Sequence, residues 1–319
     1  MINITLKQLR YFDAVARELH FGRAAEACAV TQPALSMQIQ ELENNLGLTL
    51  LERTRSGVQL TRHGVEIAAR AARILADTRE LIEVAQHGDD VLSGELRLGV
   101  IPSVAPYLLP PVLPALRERF PGLQLAVRET QTHTLLQELV DGKIDVLLLA
   151  LPVRHTDVET EVLFEDRFVL AMSAGREIPK QPCATPDFVS RERLLLLEEG
   201  HCLRDQALSY CQLNEVPKID TFGASSLSTI VEMVAAGYGI TLLPEISLGV
   251  ETRGRSLNLM RFIAPEPSRT LGLAWRATSP RKPDFQELAR MFREAGAKLS
   301  EAAAEQVPTV SDAKPAATG

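Results

Sequence analysis

The feature that most constrains this chain is an alternation beginning near Glu95. Leu96 to Ile101 has the composition of a strand, and Tyr107 to Arg119 reads as a helix that opens among several prolines. Leu123 to Glu129 follows as a strand, Thr132 to Asp141 as a helix, and Ile144 to Ala150 as a buried apolar strand. Such a strand–helix run predicts a parallel sheet with helices on its faces. Leu163 to Ser173 predicts a crossing strand. A second set then comes: Arg193 to Leu197, Lys218 to Gly223 and Gly239 to Leu243 as strands, with a helix over Ser226 to Ala236. Leu257 to Phe262 and Arg269 to Arg276 predict strands returning to the first set, and Pro283 to about Ala304 a helix. Residues 91–300 should therefore form two α/β lobes, and the Ala-, Pro- and Ser-containing stretch 301–319 a disordered tail.

The N-terminal part has a different rhythm. Thr5 and Gln8 have capping-box spacing, and Leu6, Leu9, Phe12, Val15, Ala16 and Leu19 make a helical stripe behind them. A short Ala-rich helix follows over Phe21 to Ala29. Thr31 can cap a third helix, with Pro33 tolerated in its first turn and Leu35, Ile39, Leu42 and Leu46 facing inward. Leu48 to Thr61 predicts a β-ribbon around a Ser-Gly turn. Three helices and a ribbon make a winged helix-turn-helix over residues 1–61. In that arrangement Gln32, Ser36, Met37 and Gln38 lie where a recognition helix meets base edges. Arg53 and Arg55 sit on the wing, placed for phosphate or the minor groove. The bland alternative is a packing module with a solvated face. Thr61 caps a long helix over residues 62–90 whose stripe of Val65, Ala68, Ala72, Leu75 and Ile82, widened by Ile74 and Leu81, suits dimerisation. Gly88-Asp89-Asp90 and Ser93-Gly94 mark a hinge.

The chemistry centres on Gly200-His201-Cys202-Leu203-Arg204-Asp205-Gln206-Ala207-Leu208-Ser209-Tyr210-Cys211, which starts where a strand ends. Open α/β sheets place ligands at such ends. Leu203, Ala207 and Tyr210 recur at helical spacing. A helix through both cysteines would hold them roughly 13 Å apart along its axis. A disulfide needs Cα atoms within about 7 Å. Bonding them therefore requires the helix to unwind, which makes the segment a two-state element. Cys202 would sit at the helix N-terminus beside His201 and Arg204, an electropositive setting of the kind that lowers a thiol's pKa. The bland alternative is two buried cysteines acting as small hydrophobes. Cys28 reads as packing within the helix-turn-helix, and Cys183 as a loop thiol with nothing nearby to activate it.

Composition narrows the partners. Four cysteines among 319 residues are too few for a disulfide framework, and no Cys or His cluster has metal-ligand spacing, so neither metal nor cofactor is expected. No apolar run is long enough for a membrane span and the N-terminus lacks a signal-peptide core, so the expected location is the cytoplasm. Net charge is −7; residues 1–62 carry +1 and the remainder −8. A basic patch does not argue for nucleic acid here, so the placement of particular residues must.

Those residues carry a resemblance. Phe21-Gly22-Arg23-Ala24-Ala25, Thr31-Gln32-Pro33-Ala34-Leu35-Ser36, Gln38-Ile39, Leu42-Glu43 and Leu50-Leu51-Glu52-Arg53 together resemble the DNA-binding domain of LysR-type transcriptional regulators. The resemblance implies contacts to double-stranded promoter DNA from Thr31, Gln32, Pro33, Ser36, Gln38, Arg53 and Arg55. Met37 stands where the family often carries Arg. The two lobes are similar to a periplasmic-binding-protein-like architecture, which the family uses as an intracellular effector domain. Glu198 to Ala207 with Cys211, Ile101-Pro102-Ser103, Gln131-Thr132-His133 and Gly239 to Pro244 are similar to the family's peroxide-sensing members. That similarity implies hydrogen peroxide as the signal, Cys202 as the thiol it oxidises and Cys211 as the partner that closes a disulfide. It places Ser103, Thr132, His201, Asp205 and Arg269 around the peroxide, where hydroxyl and guanidinium donors can hold one oxygen and polarise the other. Ser103 stands where a peroxide-sensing member carries Thr, keeping the hydroxyl without the methyl. A homotetramer built as a dimer of dimers, RNA polymerase and a thioredoxin- or glutathione-linked reductant are implied in the same way. Two other readings stay open: a regulator answering a small metabolite in the inter-lobe cleft, and a thiol peroxidase that would leave the N-terminal module unexplained.

Overall fold

The structure, a computed structural model, describes residues 3–54, 57–86, 91–176, 183–213 and 219–307. The expectations for Arg55, for the Gly88-Asp89-Asp90 hinge and for the tail after Val307 fall outside the described residues, as do the side chains of Arg53, Ile82 and Cys211, whereas residues 301–306, expected within that tail, are helical. The chain divides into two compact units, Met1–Asp89 with Glu138–Lys143, and Asp90–Gln137 with Ile144–Gly319.

The first unit opens with α1 (Leu6–Glu18), α2 (Phe21–Ala27) and α3 (Gln32–Leu46). The capping box at α1 forms in both directions: the Gln8 N–H donates to Thr5 Oγ1 at 3.2 Å, and the Thr5 N–H to Gln8 Oε1 at 3.0 Å. Helix α2 stops two residues before the expected end, because Ala29 turns left-handed at φ 55°. Thr31 occupies the N-cap of α3, but its side chain makes no cap hydrogen bond; backbone position and Pro33 start this helix. Phe12, Val15, Leu35, Ile39, Leu42 and Leu50 close the core. The wing, β1 (Leu51–Thr54) and β2 (Gly57–Leu60), pairs antiparallel as a ribbon.

Glu43 ties that wing to α3. Its Oε1 accepts the backbone N–H groups of Leu50 at 2.7 Å and Leu51 at 3.2 Å. Glu43→Ala should lower the stability of this unit by about 1–3 kcal/mol, since it strands donors that folding takes out of water; urea denaturation followed by circular dichroism measures it.

Helix α4 (Arg62–Gln86) begins where Thr61 Oγ1 accepts the Gly64 N–H at 2.9 Å. Gly64 is required there, because a Cβ would lie 2.0 Å from the Leu50 carbonyl oxygen. The apolar stripe expected on α4 divides in two. Ala71 and Ala72 are buried, with Ile67, Ala68 and Leu75 packed against the same core, whereas Val65, Ile74 and Leu81 are exposed. The start of the long helix thus belongs to the winged domain instead of standing apart as a linker from residue 62.

The second unit runs β3 (Gly94–Val100), α5 (Ala105–Arg119), β4 (Leu123–Glu129), α6 (Thr132–Val140), β5 (Val146–Leu151) and β6 (Val158–Ser173). It continues with α7 (Pro186–Ser190), β7 (Leu194–Leu197), α8 (Cys202–Leu213), β8 (Ile219–Ala224), α9 (Leu227–Ala235) and β9 (Thr241–Pro244). A 3-10 turn (Glu245–Ser247), α10 (Leu248–Glu251), β10 (Leu257–Met260), β11 (Ser268–Arg276) and α11 (Lys282–Gln306) complete it. Helix α5 starts two residues early and runs through Pro110, Pro111 and Pro114. Burial of Tyr107, Leu108, Leu109, Val112 and Leu116 outweighs the backbone hydrogen bonds those prolines remove.

The parallel pairing expected of the strand–helix run forms, and one of the returning strands joins the same sheet the other way. Strand β3 pairs parallel with β4 and β5, but β11 inserts antiparallel between β5 and β6. A chain returning from the second lobe enters the first from the opposite end, so β11 must run against its neighbours. Strand β6 is the crossing element. Val158–Arg167 pairs with β11, and Phe168–Ser173 pairs with β9 and β10. The second lobe adds β7 and β8, paired parallel, with Leu194 bridged to Ile240 beside β9. Two lobes thus share one long strand.

Candidate functional site

The first lobe contributes a buried hydroxyl and a buried guanidinium. Ser103 follows the end of β3, and Arg269 lies near the start of β11. Arg269 Nη1 donates to Ser103 Oγ at 2.8 Å, and Nη2 donates to the Ser103 carbonyl at 3.1 Å. The antiparallel register sets Arg269 directly across from Asp166 of β6. Nε donates to Asp166 Oδ2 at 2.9 Å, and Nη2 lies 2.9 Å from the same oxygen. Both charged side chains are fully buried. Asp166 Oδ1 also accepts the Ile246 N–H at 3.2 Å. Burial pushes the Asp166 carboxyl up, and Arg269 with the Ile246 N–H works against that push. Among the described residues, one N–H of Arg269 Nη1 is left without an acceptor.

Thr132 opens α6, and its Oγ1 is buried with no hydrogen-bond partner among the described residues. A buried hydroxyl left unpaired costs about 1–3 kcal/mol, so a small oxygen ligand there recovers a loss already incurred.

The second lobe meets this wall through Gly200. It adopts φ 93°, and a Cβ on it would lie 2.5 Å from Gln131 Oε1. Only glycine lets the turn after β7 close against Gln131, the residue before Thr132. His201 comes next and is buried, with Nε2 3.9 Å from Glu198 Oε1. Cys202 is the first residue of α8 and is half-buried. Arg204 turns back to donate to the Leu197 carbonyl at 3.0 Å, which fastens the helix start to β7.

Helix α8 runs through both cysteine positions without a break, as the spacing predicted. Asp205 lies in the first turn of α8 and is exposed. Leu203 and Ala207 take the inward positions of that turn, which leaves residue 205 facing solvent. The expectations for Cys28 and Cys183 hold. Burial pushes the Cys28 and Cys183 thiols up, which favours the unreactive protonated form.

Asp166 and Gln131 were not legible as site residues. Asp166 stands in the charged triplet Glu165-Asp166-Arg167, and nothing in that triplet marks it rather than Glu165 as the buried carboxylate. A second buried group was missed beside them. Tyr107 of α5 donates to Glu251 Oε1 at 2.7 Å, and Ser228 Oγ donates to that oxygen at 2.9 Å. Burial and the Glu251 carboxylate hold the Tyr107 phenol well above its usual range.

On the first unit, Thr31, Gln32 and Pro33 are exposed at the start of α3, while Ser36 is half-exposed. Gln38 donates to Glu41 at 2.9 Å. Met37, where the family often has Arg, is 63% exposed.

Comparison with known proteins agrees with both units. Residues 6–65 match the bacterial regulatory helix-turn-helix protein, lysR family, and residues 89–297 match the LysR substrate binding domain. The chain is 40% identical over 291 residues to the DNA-binding transcriptional dual regulator OxyR of Escherichia coli K12, covering 91% of this chain and 95% of that one. It is 45% identical to a probable hydrogen peroxide-inducible genes activator of Streptomyces viridosporus, covering 91% and 94%. The chain belongs to the LysR family, in its OxyR branch. A full-length OxyR variant from Pseudomonas aeruginosa shares the fold with a TM-score of 0.77 at 38% identity, over 91% of this chain and 95% of that one. Family membership accounts for the winged domain and the two-lobed unit together.

Proposed function

We propose that this protein is a DNA-binding transcriptional regulator that senses hydrogen peroxide through Cys202 and Cys211. The observation that carries the reading is Cys202 at the half-exposed start of α8, beside the junction where Gly200 meets Gln131 and the unpaired Thr132 hydroxyl. Peroxide binds with one oxygen held by Thr132, Ser103 and the spare N–H of Arg269. The Cys202 thiolate attacks the other oxygen. The O–O bond breaks, the departing oxygen takes up a proton and leaves as water, and Cys202 becomes a sulfenic acid. Unwinding of α8 brings the Cys211 thiol to that sulfur. The S–S bond forms and the sulfenic oxygen leaves as a second water.

The exposed start of α3 enters the major groove of promoter DNA, with Gln32 and Ser36 at base edges. The exposed Ile74 and Leu81 of α4, which share one face of the helix, pair two copies, and two such pairs make a tetramer whose heads are respaced by the disulfide. Contact with RNA polymerase and reduction by a thioredoxin- or glutathione-linked thiol complete the cycle in the cytoplasm, and each thiol pair acts once per signal, not as a turnover catalyst.

The test joins chemistry to DNA. Brief peroxide exposure followed by peptide mapping should find a Cys202–Cys211 bridge, and the same sample should show an altered footprint on a promoter fragment. Four unchanged thiols, or a bridge with an unchanged footprint, would sink the reading. Sustained peroxide consumption with a reductant at enzymatic rates would count for a peroxidase instead.

A further inference from the structure

The buried anchors of helix α8, among its described side chains, lie in its first half: Leu203, Arg204 and Ala207. Past them, Tyr210 makes an edge-to-face contact with Phe262, with ring centroids 5.2 Å apart at 73°. Phe262 is not on the helix. It is fully buried and set on a rigid frame: the Ala184 N–H donates to the Arg261 carbonyl at 2.7 Å, and the Ile263 N–H donates to the Ala184 carbonyl at 3.0 Å. The buried Arg261 side chain pairs with Glu245 and donates to the Val307 carbonyl at 2.9 Å. Beside the Tyr210 ring lies a cavity of about 490 Å³ that Gln206, Ser209, Pro186, Pro265 and Pro267 also line. The turn that carries Ser209 and Tyr210 therefore has open volume beside it, and unwinding it gives up the Tyr210–Phe262 ring contact.

We infer that Tyr210 is a positioning residue that latches the second half of α8 onto Phe262 and thereby sets the redox potential of the Cys202–Cys211 pair. This rests on the disulfide proposed above. The latch stabilises only the helical dithiol form, because a bridge between residues nine positions apart dismantles the helix that carries the ring. Weakening the latch favours the disulfide and leaves the first reaction with peroxide unchanged, since Cys202 lies at the other, firmly held end.

The test measures the equilibrium with glutathione in the full-length protein. The dithiol passes two electrons and two protons to glutathione disulfide, yielding the Cys202–Cys211 bond and two glutathione thiols. Tyr210→Leu should raise the equilibrium constant for the protein disulfide about fivefold, the scale of one edge-to-face aromatic contact. Leucine is the better helix former, so helix propensity alone would shift the balance the other way. In a Cys211→Ser background, the rate of sulfenic acid formation at Cys202 should be the same with Tyr210 or Leu at this position. A Tyr210→Leu constant equal to or below the parent's overturns the latch while the disulfide reading stands. A first-step rate that falls with the substitution overturns it too, because Tyr210 would then support the whole helix. A parent protein that forms no bridge at any glutathione ratio overturns both.

Discussion

A protein carrying Cys202→Ser should bind its promoter as the reduced parent does and show no change of footprint with peroxide. The hydroxyl is close in size to the thiol it replaces, and residue 202 is half-buried at a helix start, so stability should shift by no more than about 0.5 kcal/mol. The chemistry changes far more. The thiolate is the attacking species in peroxide reduction, and a serine hydroxyl supplies no comparable anion near neutral pH. Arg269, Ser103 and Thr132 would still hold peroxide, and nothing would attack it. Footprinting with and without peroxide reads the result. A Cys202→Ser protein that still switched fully would point to a small metabolite as the signal.

The second large effect lies in the buried Asp166–Arg269 pair, and its two halves should not be equivalent. Asp166→Ala leaves a guanidinium buried without its counter-charge, and a guanidinium cannot shed its proton to escape. It also strands the Ile246 N–H. A loss of about 3–5 kcal/mol is expected at pH 7. Arg269→Met leaves a carboxyl that burial already pushes up, and this group can neutralise itself by taking a proton. Its loss should be smaller and should depend on pH. A carboxyl whose folded pKa lies above its unfolded value binds the proton more tightly when folded, so its contribution is greatest in acid and is lost as pH rises through the folded pKa. The Arg269→Met deficit should therefore shrink in mildly acidic buffer, and the Asp166→Ala deficit should not. Urea denaturation of both variants at several pH values measures this. Equal, pH-independent losses would show that Asp166 is not paired as described.

These two predictions draw on different layers of information. Cys202 could be placed at a helix start from its neighbours alone, because helix spacing, a preceding Gly and the end of an apolar strand are local signals. The capping box of Thr5 and Gln8, the start of α4 at Thr61 and the inner face of α3 were legible for the same reason. Partner choice across the sheet was not. Arg269 meets Asp166 across 103 residues of chain, and the periodicity of β11 contains nothing about which strand it will join. For the same reason the direction in which the returning strands would join the sheet was not legible.

By itself, then, the amino-acid sequence determined the elements, the winged module, the two-lobed class and the helix that keeps two cysteine positions apart. Each of these follows from interactions within a few residues. Tertiary structure alone decided that β11 would run antiparallel beside β6 and bury Arg269 against Asp166. It also decided that Gln131 would press on Gly200, and that Tyr210 would find Phe262. Those are contacts between segments distant in sequence, selected by which buried surfaces and charges can satisfy one another once the lobes have closed.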